Sequence, residues 1–161
     1  MMKMRRLLLA LLLIVPLGIV LSFAGMSMFS KRPDDLGIHN GQLRDCPSSP
    51  NCVGTHASDE TKRMPPLSYS GDSANAWQRL KEVIQSMPRM KIVTDDANYL
   101  HVEFTSFLFR FVDDVEFQLD DDKKVIHFRS ASRVGHSDLG VNRERMATIQ
   151  QRFEGASRTD Q

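Results

Sequence analysis

Residues 91–130 alternate apolar and polar side chains, and short turn sequences rather than helices separate the alternating runs. The runs at 91–94, 99–106, 111–119 and 125–130 each have the two-residue period of a half-buried strand. Strands joined by tight turns pair antiparallel, because a parallel crossover needs a dozen or more residues. The sequence therefore predicts an antiparallel four-stranded meander. Leu67 and Tyr69 before it show the same alternation over a shorter stretch.

An amphipathic helix precedes this meander. It is expected to begin after Asp72 or Ser73, which can cap the first turn, and to end before Pro88. Apolar side chains recur along it at three- and four-residue steps: Ala76, Trp77, Leu80, Val83, Ile84 and Met87. This stripe must pack against another apolar surface.

A second amphipathic helix follows the meander. We expect it to begin near Asn142, a good capping residue, and to carry Met146, Ile149 and Phe153 on one side. Two amphipathic helices and one amphipathic sheet bury their apolar faces by packing together. The fold predicted is a two-layer α+β domain with both helices on one face of the sheet.

The N-terminus carries a long apolar segment. Leu7–Ala24 is uncharged and follows Lys3, Arg5 and Arg6. Its eighteen residues are just sufficient to cross a hydrocarbon core of about 30 Å at 1.5 Å per residue. We expect a single-pass transmembrane helix in the cell membrane, although Ser22–Ala24 also suits a signal peptide cleaved after Ala24. Both interpretations place the domain on the exported, periplasmic side.

The domain organisation follows from these segments. Residues 1–24 form the anchor or an uncleaved signal, 25–42 a linker, 43–154 the globular α+β domain and 155–161 a polar tail. A chain of 161 residues has room for one such domain. With 21 Lys plus Arg against 20 Asp plus Glu it has no basic excess, so we expect no nucleic-acid partner. No cofactor motif is present, and we expect no cofactor.

Three motifs in order carry a resemblance to a known family. They are Cys46-Pro47-Ser48-Ser49-Pro50-Asn51-Cys52, the stretch Phe-Arg-Phe-Val-Asp-Asp-Val-Glu-Phe at 109–117, and the arginine- and glycine-containing stretch at 129–143. Over Leu43 to Phe153 the chain resembles the domain of unknown function DUF1499. The resemblance implies a bacterial envelope or chloroplast-type protein. It implies no activity, substrate or catalytic residue.

Cys46 and Cys52 are the two cysteines of the chain. In an exported protein this pair can form a structural disulfide that closes a short loop. A redox-active pair is an alternative, although such pairs usually have two intervening residues rather than five. Free thiols are the third alternative. No His or Cys pair has the spacing of a metal site, so we expect no metal.

A polar face of the sheet can be built from the two hairpins. A two-residue turn at 121–122 places Asp114 opposite Arg129 and Glu116 opposite His127. Side chains paired in this way lie about 5 Å apart. Asp114 and Arg129 then form an ordinary cross-strand ion pair.

The preceding hairpin adds two more side chains to this face. A connection at 107–110 places Glu103 opposite Asp114 and His101 opposite Glu116. Facing carboxylates raise one pKa unless a cation relieves the repulsion. Because helices cover only one face of the sheet, we expect this other face to be solvated. A binding surface, or an acid/base or divalent-metal site, are the alternatives.

The loop at 130–143 leads into the second helix, whose first N–H groups can hold an anion. Arg129, Arg133 and Arg143 can add charge-assisted hydrogen bonds to a phosphate or carboxylate. In the structural alternative, Asp138 pairs with an arginine and fixes the loop. The candidate ligand-binding residues are Arg129, Arg133, Asp138, Arg143, Glu103 and Asp114.

Phe104, Phe107, Leu108, Phe109 and Phe111 surround the connection between two predicted strands. We expect most of them to pack beneath the helices. The alternative is an apolar patch for a partner protein or for the nearby membrane surface.

Together these features favour a membrane-anchored, non-catalytic envelope domain that binds a ligand or an envelope protein partner. The alternative is a hydrolase or metal-assisted enzyme that uses Glu103 and Asp114, or the loop that contains His136. A third hypothesis is a scaffold without a ligand site. The sequence contains no catalytic signature that decides for an enzyme.

Overall fold

The computed structural model describes residues 12–18, 20–22, 25 and 30–157. Residues 12–18 and 20–22 are helical, and their leucine side chains are exposed. None of the helices within the described ranges has the length and apolar character needed to cross a bilayer. The predicted anchor Leu7–Ala24 lies partly outside these ranges, as do residues 158–161 of the predicted tail.

The main sheet has six strands. They are β3 (Cys52–Gly54), β4 (Leu67–Ser68), β5 (Met90–Asp95), β6 (Tyr99–Thr105), β7 (Val112–Asp120) and β8 (Val125–Ser132). Consecutive strands β5 to β8 pair antiparallel, which confirms the predicted meander. The predicted count of four was wrong, because β3 and β4 also pair with β8. The short alternation at Leu67 and Tyr69 indicated β4, whereas the three residues of β3 show too little alternation to be recognised in a sequence.

The two predicted helices of the domain are present. Helix α1 spans Ser73–Gln85, and the Asp72 side chain caps it by accepting a hydrogen bond from the Asn75 N–H at 3.0 Å. Helix α2 spans Val141–Ser157 and so continues past the expected end of the domain. Asn142 was expected to cap α2 but lies inside it. The Asp138 carboxylate instead accepts from the Asn142 N–H at 2.8 Å.

The core lies between the helices and one face of the sheet. Trp77, Leu80 and Ile84 of α1 belong to the same buried cluster as Met146, Ile149 and Phe153 of α2. The sheet contributes alternate residues: Leu100, Val102, Phe104, Val115, Phe117, Ile126 and Phe128. Complete burial of one such side chain stabilises the fold by roughly 1.5–3 kcal/mol. These contacts confirm an α+β domain with both helices on one face.

A separate hairpin lies N-terminal to the main sheet. Strands β1 (Ile38–His39) and β2 (Gln42–Leu43) pair antiparallel at the end of the predicted linker, and Leu43 is the first residue of the predicted domain. Asn40 and Gly41 between them have φ values of 52° and 82°. Asn-Gly is the preferred sequence for a two-residue hairpin turn because both positions need positive φ. This hairpin lies against the sheet face opposite the helices.

Candidate functional site

The polar face of the sheet carries two rows of side chains that run across the strands. The first row contains Glu103 and Asp114, and the second contains His101, Glu116 and Arg129. Glu103 lies opposite Asp114, and His101 lies opposite Glu116, as the first predicted hairpin requires. The predicted pairing of Asp114 and Glu116 with strand β8 was wrong by two residues. Glu116 is opposite Arg129, and Asp114 is opposite Ala131.

The register differs because the β7–β8 loop is longer than expected. Four residues, 121–124, connect the strands instead of the two in the prediction. Lys124 closes the loop with a φ of 54°. Lysine is an uncommon residue in this left-handed conformation, so no residue pattern indicates the longer loop. The longer loop places Glu116, instead of Asp114, beside the Arg129 guanidinium.

This polar face is buried, which contradicts the expected solvated face. The Gly37 N–H donates to Glu116 Oε1 at 2.7 Å, and the Gln118 amide donates to the Gly41 carbonyl at 2.8 Å. Arg129 Nε donates to the Asp45 carbonyl at 3.4 Å. Glu116 is 0% exposed as a result. We call residues 30–45, which include the β1–β2 hairpin, the strap, because they cover this face.

Arg133 connects the two carboxylates of the first row. Its Nε and Nη2 donate to both oxygens of Asp114 at 2.8 and 2.7 Å, and Nη2 also donates to Glu103 Oε1 at 2.5 Å. His101 Nε2 lies 2.7 Å from the same Asp114 carboxylate. The predicted repulsion between Glu103 and Asp114 is therefore relieved by a shared cation.

The pKa values follow from these contacts. Burial alone raises the pKa of Asp114, but hydrogen bonds from Arg133 and His101 outweigh burial and lower it. For Glu103, burial is likewise outweighed by Arg133 and by Arg32, so its pKa is also lowered. Hydrogen bonds from Arg133 to Asp114 raise the pKa of Arg133. All three groups are held in their charged forms.

Glu116 is the centre of the second row. Tyr99 donates its hydroxyl to Glu116 Oε1 at 2.9 Å, and Arg129 Nη1 donates to Oε2 at 3.3 Å. Burial and the neighbouring Glu116 raise the pKa of Tyr99, so the phenol remains a donor. With the Gly37 N–H, three donors from three segments bind one buried carboxylate.

A cavity of about 320 Å³ lies between this face, the strap and the loop after β8. Six polar residues from different segments of the chain line it: Arg44, Ser49, Asn51, Arg129, Ser132 and Arg133. Asp114 is the single carboxylate of the lining. We call this space the arginine cavity. Its lining has an excess of positive charge.

Arg44 reaches the cavity from the strap. It forms an ion pair with Asp35, while its Nε is buried and has no hydrogen-bond partner in the part of the chain that the structure describes. Burial, together with the charge of Arg129, lowers the pKa of Arg44. A buried donor without a partner typically costs about 1–3 kcal/mol. An acceptor bound beside Arg44 would therefore find an unsatisfied donor there.

The disulfide alternative for the two cysteines is confirmed. Cys46 and Cys52 are bonded, with an S–S distance of 2.02 Å. The loop that they close includes Pro47 and Asn51 of the cavity lining. Lys62 is 7% exposed and donates to the carbonyls of Pro47 and Ser48 at 2.5 and 3.0 Å. The disulfide and this lysine fix one wall of the cavity.

The other predicted binding residues take different places. Asp138 binds the first turn of α2 through the Gly140 N–H and Asn142. Arg143 donates to the Thr61 carbonyl at 2.5 Å and does not line the cavity. Asp138 thus fixes the loop, in agreement with the structural alternative, but through backbone N–H groups and an amide instead of an arginine.

Two cavity residues have no functional signal of their own in the sequence. Arg44 lies at the start of the predicted domain, and Asn51 belongs to the cysteine motif. Asn51 donates to the Gly135 carbonyl at 2.7 Å and so joins the disulfide loop to the loop after β8. The Asn40-Gly41 turn was the signal that could have indicated a hairpin folding back over the sheet.

In the described ranges, no three His, Cys, Asp or Glu side chains are arranged to hold a metal ion. The arrangement is that of a small α+β domain whose polar sheet face is covered by an N-terminal strap and contains a cavity lined by arginines.

The chain belongs to the family described as Protein of unknown function (DUF1499), which it matches over residues 42–153. This confirms the resemblance seen in the sequence. None of the curated proteins matches the chain.

Proposed function

We propose that this protein is a membrane-anchored envelope protein whose domain binds a small anionic ligand in the arginine cavity, without catalysis. The observation that carries the proposal is the convergence on one cavity of Arg44 from the strap and of Arg129 and Arg133 from β8 and the loop that follows it. Guanidinium groups recognise carboxylate and phosphate groups through paired, charge-assisted hydrogen bonds. The ligand class is therefore a carboxylate- or phosphate-bearing small molecule.

The size of the cavity supports a small ligand. Its volume of about 320 Å³ is at the lower end of the usual range for small-molecule pockets. Ser49, Asn51 and Ser132 add neutral hydrogen-bonding groups to the charged ones. Such groups orient a ligand that the arginines attract.

The electrostatics favour binding over catalysis by the two carboxylates. A general acid that works near neutral pH needs a raised pKa. Glu103 and Asp114 have lowered pKa values, and both are occupied by Arg133. They position Arg133 at the cavity instead of supplying a proton. Their lowered pKa values and their contacts with Arg133 weigh against the hydrolase alternative.

The envelope location rests on two features of the chain. A disulfide is stable in an oxidising compartment such as the periplasm and is rare in the cytosol. The helical residues in 12–22 expose Leu12, Leu13 and Leu17, which suits contact with lipid. A reporter fused after Gln161 should behave as periplasmic in intact cells. Cytosolic behaviour of that reporter, with both thiols open to alkylation, would contradict this location.

Ligand binding can be tested by thermal unfolding of the full chain in mild detergent. Inorganic phosphate and citrate are the two probes, each compared with chloride at the same ionic strength. A ligand that binds only the folded protein raises the midpoint temperature. We expect a rise with at least one probe in the wild type and its loss in Arg44→Gln.

Arg32→Gln is the matched control. Arg32 also belongs to the strap and also forms an ion pair, with Glu103, but it does not line the cavity. It should retain the wild-type response. The proposal fails if neither probe shifts the midpoint, or if Arg44→Gln and Arg32→Gln respond alike. A response to phosphate alone or to citrate alone identifies the ligand class.

A further inference from the structure

Four large hydrophobic side chains are exposed within residues 30–157, and all four lie at one end of the domain. Phe107 and Leu108, in the β6–β7 connection, are 79% and 54% exposed. Leu139 and Val141, at the start of α2, are 95% and 46% exposed. Phe107 and Val141 line the same groove of about 340 Å³. We call these four residues the apolar end. Clustered exposure of this kind marks an interaction surface.

The expectation that these aromatic residues pack beneath the helices is therefore only partly right. Phe104 is 5% exposed and belongs to the core, whereas Phe107 and Leu108 do not. Arg110 has a φ of 58° and turns the chain between the two strands. The turn thus presents Phe107 and Leu108 beyond the last paired residues of the sheet.

Charge is distributed unevenly along the domain. At the apolar end, Arg89 and Arg110 are exposed, and the Arg89 guanidinium lies 6.0 Å from the centre of the Phe107 ring. The groove there is also lined by one exposed carboxylate, Glu144. The opposite end carries the β5–β6 and β7–β8 turns and α1. Its six aspartates outnumber three lysines, which pair with three of them: Asp72, Asp95, Asp96, Asp120, Asp121 and Asp122 against Lys81, Lys123 and Lys124. Aromatic and apolar side chains with arginines beside them are typical of a surface that enters the headgroup region of a bilayer.

The N-terminal chain leaves the domain at this same end. Arg32 Nη2 donates to Glu103 Oε1 at 2.6 Å, and Glu103 lies four residues before Phe107. From Ala24 to Arg32 there are eight peptide steps, which span at most about 28 Å when fully extended. If the apolar N-terminal segment lies in a membrane, this attachment holds the apolar end near the bilayer surface and leaves the aspartate-rich end about 30 Å farther away along β7.

We propose that the apolar end docks on the bilayer surface, with Phe107 and Leu108 inserted among lipid headgroups and Arg89 and Arg110 against anionic lipid. This inference rests on the membrane anchoring in the proposed function and adds an orientation to it. The arginine cavity then opens within a few residues of the membrane surface, because Arg133 and Glu103 lie beside the same end of the sheet.

Brominated lipids test the docking, because bromine quenches tryptophan fluorescence only at short range. Full-length Phe107→Trp is reconstituted in vesicles of phosphatidylcholine and phosphatidylglycerol, with or without brominated acyl chains. Asp122→Trp, in the opposite turn, is the matched control. The native Trp77 is buried in both proteins and contributes the same background. We expect bromination to reduce the emission of Phe107→Trp and to leave that of Asp122→Trp unchanged.

Flotation of the same vesicles separates the two proposals. Failure of both variants to float with the vesicles would overturn the anchoring. Flotation without quenching of Phe107→Trp would leave the anchoring intact and overturn the docking. A blue-shifted but unquenched Phe107→Trp also overturns it, because a protein surface then covers the apolar end. Loss of quenching in vesicles without phosphatidylglycerol supports the role given to Arg89 and Arg110, and equal quenching in both lipids contradicts that role.

Discussion

Replacing Arg133 by methionine removes the cation between two carboxylates. Arg133 donates twice to Asp114, at 2.7 and 2.8 Å, and once to Glu103 at 2.5 Å. The side chains of Arg133 and Asp114 are only 7% and 2% exposed, so water has little access to replace the guanidinium. Removal of one partner from a buried ion pair typically costs about 3–5 kcal/mol. We expect Arg133→Met to reduce the free energy of unfolding by about that amount at pH 7.

The loss should depend on pH in a specific direction. In the wild type, lowered pKa values of Asp114 and Glu103 add stability above about pH 4, which is lost as pH falls through their folded pKa values. In Arg133→Met, burial of Asp114 is no longer offset by the guanidinium, so its pKa rises and the variant loses stability as pH increases through that value. The difference between the two proteins should therefore be largest at pH 7 and decrease toward pH 4.

Urea unfolding of the full chain in detergent can measure this difference through Trp77. It is the single tryptophan of the chain and is 6% exposed. Arg32→Met is the control, because Arg32 binds the same Glu103 oxygen but is 46% exposed and should contribute under about 1 kcal/mol. Equal losses in the two variants would refute the reasoning. So would an Arg133→Met deficit below about 1 kcal/mol that stays constant from pH 4 to 7.

Three further predictions use the same unfolding assay. Cys46→Ser should lose about 2 kcal/mol, since the disulfide closes a short loop, and dithiothreitol should destabilise the wild type but not the variant. Asn142→Ala should lower the free energy of unfolding by about 2–3 kcal/mol, because the buried Asn142 side chain forms hydrogen bonds with several segments. Asn75 is exposed, so Asn75→Ala should lower it by no more than about 0.5 kcal/mol. Burial lowers the pKa of His127. The stability that the neutral imidazole adds above about pH 6.5 should therefore decline as pH falls through the folded pKa of His127. His127→Gln should reduce this dependence of the unfolding free energy on pH.

The elements with a long, regular period were predictable from the sequence. Asp72, the apolar stripe through Trp77 and the stop before Pro88 determine α1 locally, and the structure agrees with each of them. The alternation in β6 and β7 also predicted correctly that Glu103 and Asp114 lie opposite each other on adjacent strands. These features depend on residues close together in the chain, so they can be recognised from the sequence alone.

The arginine cavity was not predictable in the same way. Arg129 and Arg133 were recognised, but Arg44 and Asn51 reach the site through contacts between segments far apart in the chain. The register of Glu116 depended on a single left-handed residue, Lys124, for which the sequence has no strong signal. Burial of the polar face depended on the strap, whose polar composition resembles that of a linker.

The strap also determines which fragments of this protein can be studied in isolation. The family match begins at residue 42, but Arg32, Gly37 and Gly41 bind the sheet from positions before that boundary. A chain shortened to the match would open Glu116 to water and remove the N–H group that satisfies it. Crystallisation or NMR of a soluble fragment should therefore begin at Ser30 or earlier.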